Sequence, residues 1–229
     1  MHTGTRDYVT IVSGLPRSGT SMMMMILEAG GIPALTDGVR QADPDNPRGY
    51  YEFEAVKKTR DDPSWLEHAN GKVVKMVYRL LYDLPQNRAY RVVFMRRNLD
   101  EILASQAKML QRKCGRAPVA EENERMAGLF HSALAEARGW LANMDCFDAL
   151  YVDHGEVIRR PRKQMARINE FLGGDLDEEA MASVVDPSLY RQRAGSSGAG
   201  PSPAHTAASS PEHRKDPPPG PAAAEPRST

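Results

Sequence analysis

The feature that most constrains this sequence is a glycine-containing turn near its start, which stands between a predicted strand and a predicted helix. A β-branched run at residues 8–13 leads into the turn at residues 14–19, and an apolar stretch follows through Leu27. A strand–turn–helix junction directs backbone N–H groups and the positive end of the helix dipole at one point. The junction therefore predicts an anion-binding site in a fold where strands and helices alternate.

The rest of the chain continues this alternation to about residue 174. Nearly continuous apolar runs, typical of strands buried on both faces of a parallel sheet, predict further strands at residues 73–78, 90–95 and 149–152. The first helix is expected to end at Gly30-Gly31, and the last to run from Pro161 to Gly173. A long helix between them carries an apolar stripe over residues 126–144 that includes Leu129 and Leu141. The predicted fold class is α/β, a three-layer sandwich with a central parallel sheet like that of phosphate-loop nucleoside triphosphate hydrolases.

The composition changes sharply near Gly195. Of the 35 residues from there to Thr229, 25 are Pro, Ala, Ser or Gly, and none is Leu, Ile, Val, Met or aromatic. A segment with nothing to bury cannot offset the entropy of becoming ordered. The sequence therefore predicts a folded α/β domain at residues 1–194 and a disordered tail at residues 195–229.

Charge and cysteine content exclude several classes of function. Lys and Arg number 30 and Asp and Glu also number 30, so the chain has no broad basic field for nucleic acid or an anionic membrane. Two cysteines cannot make a disulfide framework or a four-cysteine zinc site. We expect a cytoplasmic protein with neither a nucleic acid nor a membrane as partner, whose oligomeric state the sequence does not indicate.

The turn matches the spacing of a phosphate loop, Gly14-x4-Gly19, except that Thr20 stands where such loops carry lysine. That lysine reaches the β- and γ-phosphates of a nucleoside triphosphate, so its replacement argues against a triphosphate ligand. Arg17 lies inside the turn instead, and hydroxyl donors come from Ser18, Thr20 and Ser21. The pattern alone would equally suit a turn that merely joins strand to helix, but its position after the first strand and its arginine favour a site for a shorter anion.

A second candidate anion site follows the strand predicted at residues 90–95. Arg97 stands just past the end of that strand, where ligands bind in open parallel sheets, and Ser105 follows about two helical turns later. An arginine and a serine in this relation could hold a second phosphate. The alternative is that Arg96 and Arg97 are solvated or complement the nearby Asp100 and Glu101.

Taken together, these residues resemble the sulfotransferases that use 3′-phosphoadenosine 5′-phosphosulfate. The family's 5′-phosphosulfate loop is similar to residues 16–21, and its 3′-phosphate motif is similar to Arg97 with Ser105 eight positions on. A later family segment, a strand, then Pro and a helix that ends in Phe-Leu-Gly, is similar to residues 152–173. The resemblance spans residues 9–174 and also accounts for the missing lysine, since this donor has no β- or γ-phosphate.

The resemblance implies a role for each matching position. The 5′-phosphosulfate is expected to be bound by Pro16, Arg17, Ser18, Gly19, Thr20 and Ser21. The 3′-phosphate is expected at Arg97 and Ser105. Arg17 would also have a catalytic role, since it can neutralise charge that develops on the leaving oxygen. The implied reaction is transfer of a sulfonyl group to a hydroxyl or amine of a small-molecule acceptor, with no metal required.

An acceptor of this kind needs a general base, and the sequence offers several candidates. Asp37, twenty residues after Arg17, is the first choice, Glu52 the second and His68 a poorer third. Residues 43–54 are rich in turn residues and aromatics, as an acceptor-binding loop would be. For any single carboxylate a solvated loop position is the more common role.

Two other functions remain open at this point. One is a nucleotide or small-molecule kinase on the same scaffold, against which Thr20 counts heavily. The other is a protein that binds the donor but does not catalyse transfer.

Overall fold

The computed structural model describes residues 6–39 and 49–186. The strands there are β1 (Tyr8–Gly14), β2 (Ala34–Leu35), β3 (Val73–Lys75), β4 (Ala89–Arg96) and β5 (Phe147–Asp153). They form one sheet in the order β2-β3-β1-β4-β5, and every neighbouring pair is parallel. Because all strands run the same way, their carboxyl ends share one edge of the sheet.

Six α-helices connect or flank these strands in the described part of the chain. They are α1 (Thr20–Ala29), α2 (Leu99–Cys114), α3 (Ala120–Ala142), α4 (His154–Arg159), α5 (Pro161–Phe171) and α6 (Glu178–Ser183). Between β2 and β4 the chain instead makes short 3₁₀ turns at Glu54–Lys58, Ser64–His68 and Tyr78–Asp83.

Helices and turns cover both faces of the sheet. Val12 of β1 packs in a cluster with residues of α1, α4, α5 and α6, whereas Val9 and Ile11 pack in a second cluster with α3 and the 3₁₀ turns. This division follows from the alternation of side chains along a strand. Every residue of β1 is buried, as expected for the central strand. The predicted three-layer α/β sandwich with a parallel sheet is confirmed.

The elements differ from the sequence expectations in several places. Helices α4 and α6 were not predicted, so the helix expected from Pro161 to Gly173, which ends at Phe171, is not the last. The strand predicted at 73–78 ends at Lys75, because the chain leaves the sheet and enters the turn at Tyr78–Asp83. The edge strand β2 was not predicted, because two residues are too few to show an alternating pattern. The stripe predicted for α3 is only partly buried: Leu141 is in the core, whereas Leu129 is 57% exposed.

Some expectations concern residues outside the described ranges. They are the boundary at residue 194, the disordered tail at 195–229 and the beginning of the acceptor segment at 43–48. Within the ranges that are described, no helix combines the length and apolar character needed to cross a bilayer.

Candidate active site

The turn after β1 lies directly beside the end of β4. Gly14, the last residue of β1, is the register partner of Met95. A Cβ atom at Gly14 would lie 2.7 Å from the Met95 carbonyl oxygen and 2.7 Å from Ser18 Oγ, and its φ of 147° is one that side chains disfavour. Only glycine therefore allows the two strand ends to approach this closely.

Ser18 determines the shape of the phosphate loop, by which we mean residues 14–19. Its side chain is fully buried, and both its N–H and its hydroxyl donate to the Leu15 carbonyl, at 3.2 and 2.7 Å. The preceding residue, Arg17, has a φ of 70°, which is unusual for a residue with a side chain. The loop thus presents Arg17 from a strained backbone, while Pro16 lies exposed at its surface.

The loop ends where α1 begins. Gly19, with a φ of 97°, is the N-cap of α1, and Thr20 and Ser21 are its first two residues, both half-buried. The first N–H groups of an α-helix have no acceptor within the helix and carry the positive end of its dipole. The strand–turn–helix junction from which the sequence predicted an anion site is therefore present.

Arg97 and Ser105 are held next to the phosphate loop by β4 and α2. The Asn98 side chain caps α2 by accepting hydrogen bonds from the N–H groups of Asp100 and Glu101, so the helix begins two residues after Arg97. Ser105 is buried on the side of α2 that faces the loop.

Direct hydrogen bonds join the two predicted anion sites. Arg17 Nε donates to Ser105 Oγ at 2.9 Å, and Arg97 Nη1 donates to the Arg17 carbonyl at 3.3 Å. The structure therefore brings the residues of both predicted sites together in one corner, at the carboxyl ends of adjacent strands.

Arg97 also pairs with Glu101, one of the two acidic residues that the sequence offered as alternatives to a phosphate. Its Nε donates to Glu101 Oε2 at 2.9 Å, and only 10% of the Arg97 side chain and 4% of the Glu101 side chain are exposed. The sequence signal for this pair is the i,i+4 spacing of opposite charges at the start of a helix.

His154 is a buried residue of this corner that sequence reasoning did not assign to the site. It is 6% exposed and follows the carboxyl end of β5. A Cβ atom at Gly19 would lie 2.5 Å from His154 Cδ2, so the imidazole packs against the loop. Burial and the charge of Arg97 lower the pKa of His154 to about 4, against the opposing effects of Glu101 and Asp153. The imidazole is therefore neutral at pH 7.

The two candidate carboxylates lie together on a different part of this edge, after β2. Asp37 is exposed, and its carboxylate accepts hydrogen bonds from the N–H groups of Val39 at 3.1 Å and Glu54 at 2.6 Å. These bonds lower the pKa of Asp37 below its ordinary value. The Asp37 N–H in turn donates to the Glu52 carbonyl at 3.2 Å, which holds the half-buried Glu52 beside it.

Further contacts attach this segment to the sheet and to α1. The ammonium group of Lys75, at the end of β3, donates to the Tyr50 carbonyl. The Tyr51 hydroxyl donates to Glu28 of α1 at 2.7 Å, and Tyr51 has a φ of 53°. The third candidate base, His68, is exposed at the end of a 3₁₀ turn.

The structure gives no sign of a metal cluster in residues 6–39 and 49–186, where no three His, Cys, Asp or Glu side chains are arranged to hold an ion. Both cysteines are free thiols.

Solved structures with a similar fold include several sulfotransferases. The mouse sulfotransferase SULT7A1 complexed with PAP is 17% identical, with a TM-score of 0.45, and the match covers 79% of this chain and 64% of that one. STF9 from Mycobacterium avium is 16% identical, with a TM-score of 0.46 and coverage of 84% and 70%. A sulfotransferase from Alicyclobacillus acidocaldarius is 15% identical, with a TM-score of 0.43 and coverage of 80% and 98%. This chain thus spans less than two thirds of the mouse protein's chain.

No curated protein matches the sequence. The family model described as the sulfotransferase domain matches residues 7–193, which is most of the chain. The match includes the phosphate loop, Arg97, Ser105 and all three candidate bases. The chain belongs to the sulfotransferase domain family.

Proposed function

We propose that this protein transfers a sulfonyl group from 3′-phosphoadenosine 5′-phosphosulfate to a hydroxyl or amine of a small-molecule acceptor. Family membership supports the reaction class. The observation that carries the choice of donor is the corner where Arg17 contacts Ser105 and Arg97 contacts the Arg17 carbonyl. Two guanidinium groups beside one helix N-terminus suit a nucleotide that carries two separate anionic groups.

The residues of this corner fit such a donor chemically. Guanidinium groups, hydroxyls and helix N–H groups are the donors that bind phosphate and sulfonate oxygens. Thr20, at the position of the phosphate-loop lysine, is too short to reach a γ-phosphate. The donor supplies the sulfonyl group, and the protein supplies binding, orientation and charge stabilisation.

We assign the 5′-phosphosulfate to the phosphate loop and the start of α1. Arg17, Thr20 and Ser21 donate hydrogen bonds to it, while Pro16, Ser18 and Gly19 set the shape of the loop. The Arg17 guanidinium stabilises the negative charge that develops on the leaving oxygen as the sulfonyl group departs. The hydrogen bond to Ser105 orients that guanidinium before the donor binds.

We assign the 3′-phosphate to Arg97 and Ser105. A guanidinium has five N–H donors in a fixed fork, so Arg97 can contact Glu101, the Arg17 carbonyl and a phosphate without changing its conformation. The Ser105 hydroxyl both accepts and donates, which allows it to accept from Arg17 and donate to a phosphate oxygen.

For the general base we propose Glu52, with Asp37 as the second candidate. The Asp37 carboxylate accepts two backbone N–H groups, and the lowered pKa makes it a weaker base. The bond from the Glu54 N–H also lets Asp37 hold the backbone two residues after Glu52, which is a positioning role. The sequence favoured the opposite order, and the contacts of Asp37 are what support the change.

Two alternatives make different predictions for ligand binding. A kinase on this scaffold should be stabilised by magnesium-ATP, whereas a sulfotransferase should be stabilised by adenosine 3′,5′-bisphosphate, the spent donor, in the presence of a chelator. A thermal-shift titration with both ligands decides between them. A protein that binds the bisphosphate but transfers no labelled sulfonyl group to any hydroxylated or amino acceptor would be a donor-binding protein without catalysis.

The remaining expectations stay predictions. They are a cytoplasmic location, the absence of a nucleic acid or membrane partner, the boundary at residue 194 and the disordered tail.

A further inference from the structure

The most deeply buried acidic side chain of the candidate site, Glu101, has no place in the mechanism above. It lies in the first turn of α2 and is 4% exposed. A buried carboxylate is costly unless it is paired, and Glu101 is paired at 2.9 Å with Arg97, whose side chain is 10% exposed. A role as surface charge therefore does not explain why this ion pair is buried.

The contacts of Glu101 and Arg97 close a ring around the start of α2. Glu101 accepts from Arg97, Arg97 donates to the Arg17 carbonyl, and Arg17 donates to Ser105. Ser105 lies four residues after Glu101, one turn further along the same face of α2. Both arginines of the donor site are thus fixed by two side chains of a single helix.

We propose that Glu101 is a positioning residue of the donor site, which holds the guanidinium of Arg97 against the phosphate loop. The inference rests on the proposed donor. A long arginine side chain loses much rotamer freedom when it binds a ligand, and an arginine that is already fixed in the free protein avoids that loss. Because Arg97 also binds the carbonyl of the strained residue Arg17, its position additionally sets the shape of the loop.

A positioning role and a purely electrostatic role of Glu101 predict opposite effects of removing its carboxylate. Glu101 is negative and lies beside a site for anions, so a purely electrostatic role would make Glu101→Gln bind the bisphosphate more tightly. A positioning role predicts weaker binding, because the amide cannot hold the guanidinium with a charge-assisted bond.

The test is a thermodynamic cycle on the full chain, with adenosine 3′,5′-bisphosphate as the probe in calorimetry. Glu101→Gln should weaken binding about tenfold while Arg97 is present. In an Arg97→Ala background the same change should strengthen binding, because there Glu101 is only a buried negative charge near an anion. This change of sign is not expected from a loss of general stability.

A matched control is Asp100→Asn. Asp100 is the exposed neighbour of Glu101 in the same helical turn. Asp100→Asn therefore removes the same charge as Glu101→Gln from the same end of the helix dipole. The affinity of the Asp100→Asn variant for the bisphosphate should stay within about twofold of that of the wild type. If Glu101→Gln does not fold, Glu101→Asp keeps the charge but withdraws it from Arg97, and it should show a smaller loss in the same direction.

Equal or tighter binding by folded Glu101→Gln in the presence of Arg97 would overturn the proposal. The Arg97 Nε–H signal in nitrogen-15 NMR tests the contact without a ligand, and it should be protected from exchange in the wild type but not in Glu101→Gln. If the wild type binds no bisphosphate and this signal is protected, the proposed donor is wrong while the Glu101 contact stands. An unprotected signal in the wild type would overturn the contact itself.

Discussion

The proposed donor side of the candidate site, formed by the phosphate loop, Arg97 and Ser105, and its proposed acceptor side, formed by Asp37 and Glu52, are built in different ways. On the donor side, the functional groups lie on regular elements or in the short connections between them: the phosphate loop joins β1 to α1, Arg97 lies between β4 and α2, and Ser105 and Glu101 lie on α2. On the acceptor side, Asp37 and Glu52 lie on irregular chain after the two-residue strand β2. Asp37 is exposed, whereas Ser105, Glu101 and His154 are buried.

Under the proposed function, each side would control a different part of the reaction. A buried, hydrogen-bonded corner on rigid elements suits a ligand that is the same in every turnover, since it is preorganised for one geometry. Exposed loop residues tolerate change, and loops are where specificity usually varies. We therefore expect changes on the donor side to alter stability and donor affinity, and changes on the acceptor side to alter turnover.

The largest expected effect is on turnover, from the acceptor side. Glu52→Gln should lower kcat by about 10²–10⁴-fold, the usual contribution of a general base, and leave bisphosphate affinity unchanged. Asp37→Asn should have a smaller effect, because the amide oxygen can still accept one of the two backbone hydrogen bonds. Steady-state kinetics with any acceptor that supports turnover would check this. If Asp37→Asn is the more damaging change, Asp37 is the base.

The next largest expected effect is a loss of folding stability, caused by a change on the donor side. Gly19→Ala should destabilise the fold by about 3 kcal/mol, because the new methyl group meets His154 and the backbone φ is unfavourable. Gly31→Ala is the matched control, since Gly31 has a φ of 101° but open space around its Cβ position. Urea unfolding of both variants separates the two causes. An equal loss at both positions would mean that the contact with His154 contributes nothing.

Acid should also destabilise the donor side, through His154. Its pKa is about 4 in the folded protein and 6.5 in the unfolded chain. Between these pH values the unfolded state binds the proton and the folded state does not, so stability falls as pH is lowered from about 6.5 to about 4. The full loss is about 3 kcal/mol. His154→Asn should flatten this part of the pH profile of the unfolding free energy, and an unchanged profile would show that His154 is not the group responsible.

A fourth prediction compares two neighbouring arginines. Arg97→Ala should weaken binding of adenosine 3′,5′-bisphosphate by about 2–3 kcal/mol, as expected for loss of a charge-assisted hydrogen bond. Arg96→Ala should have little effect, because Arg96 is the exposed last residue of β4 and its charge is screened by solvent. Similar losses in both variants in calorimetry would mean that the site responds to net charge rather than to the position of Arg97.

The donor side was predictable because its signals are local in sequence. The residues from Gly14 to Gly19 form one turn, and Arg97 and Ser105, eight positions apart, stand just before and within one helix, α2. Parallel strands then bring the two motifs to the same edge of the sheet. The contact between Arg17 and Ser105 was not predictable, since it depends on β1 and β4 being neighbours.

The acceptor side was less predictable because its contacts depend on tertiary structure. The sequence marked Asp37 and Glu52 as acidic loop residues, but not that the N–H of Asp37 bonds to the Glu52 carbonyl. His154 could not be assigned to the site from the sequence, because a histidine after a strand has many ordinary roles. Its packing against Gly19 exists only once β5 has closed the sheet beside β4.

The most direct test of the central claim, that one corner of the protein holds both ends of a single adenosine ligand, is a comparison of two affinities. Adenosine 3′,5′-bisphosphate and adenosine 5′-monophosphate differ only in the 3′-phosphate assigned to Arg97 and Ser105. Calorimetry should show the bisphosphate binding at least about tenfold more tightly, with Arg97→Ala removing most of the difference. Equal affinities for the two nucleotides in the wild type would contradict the account.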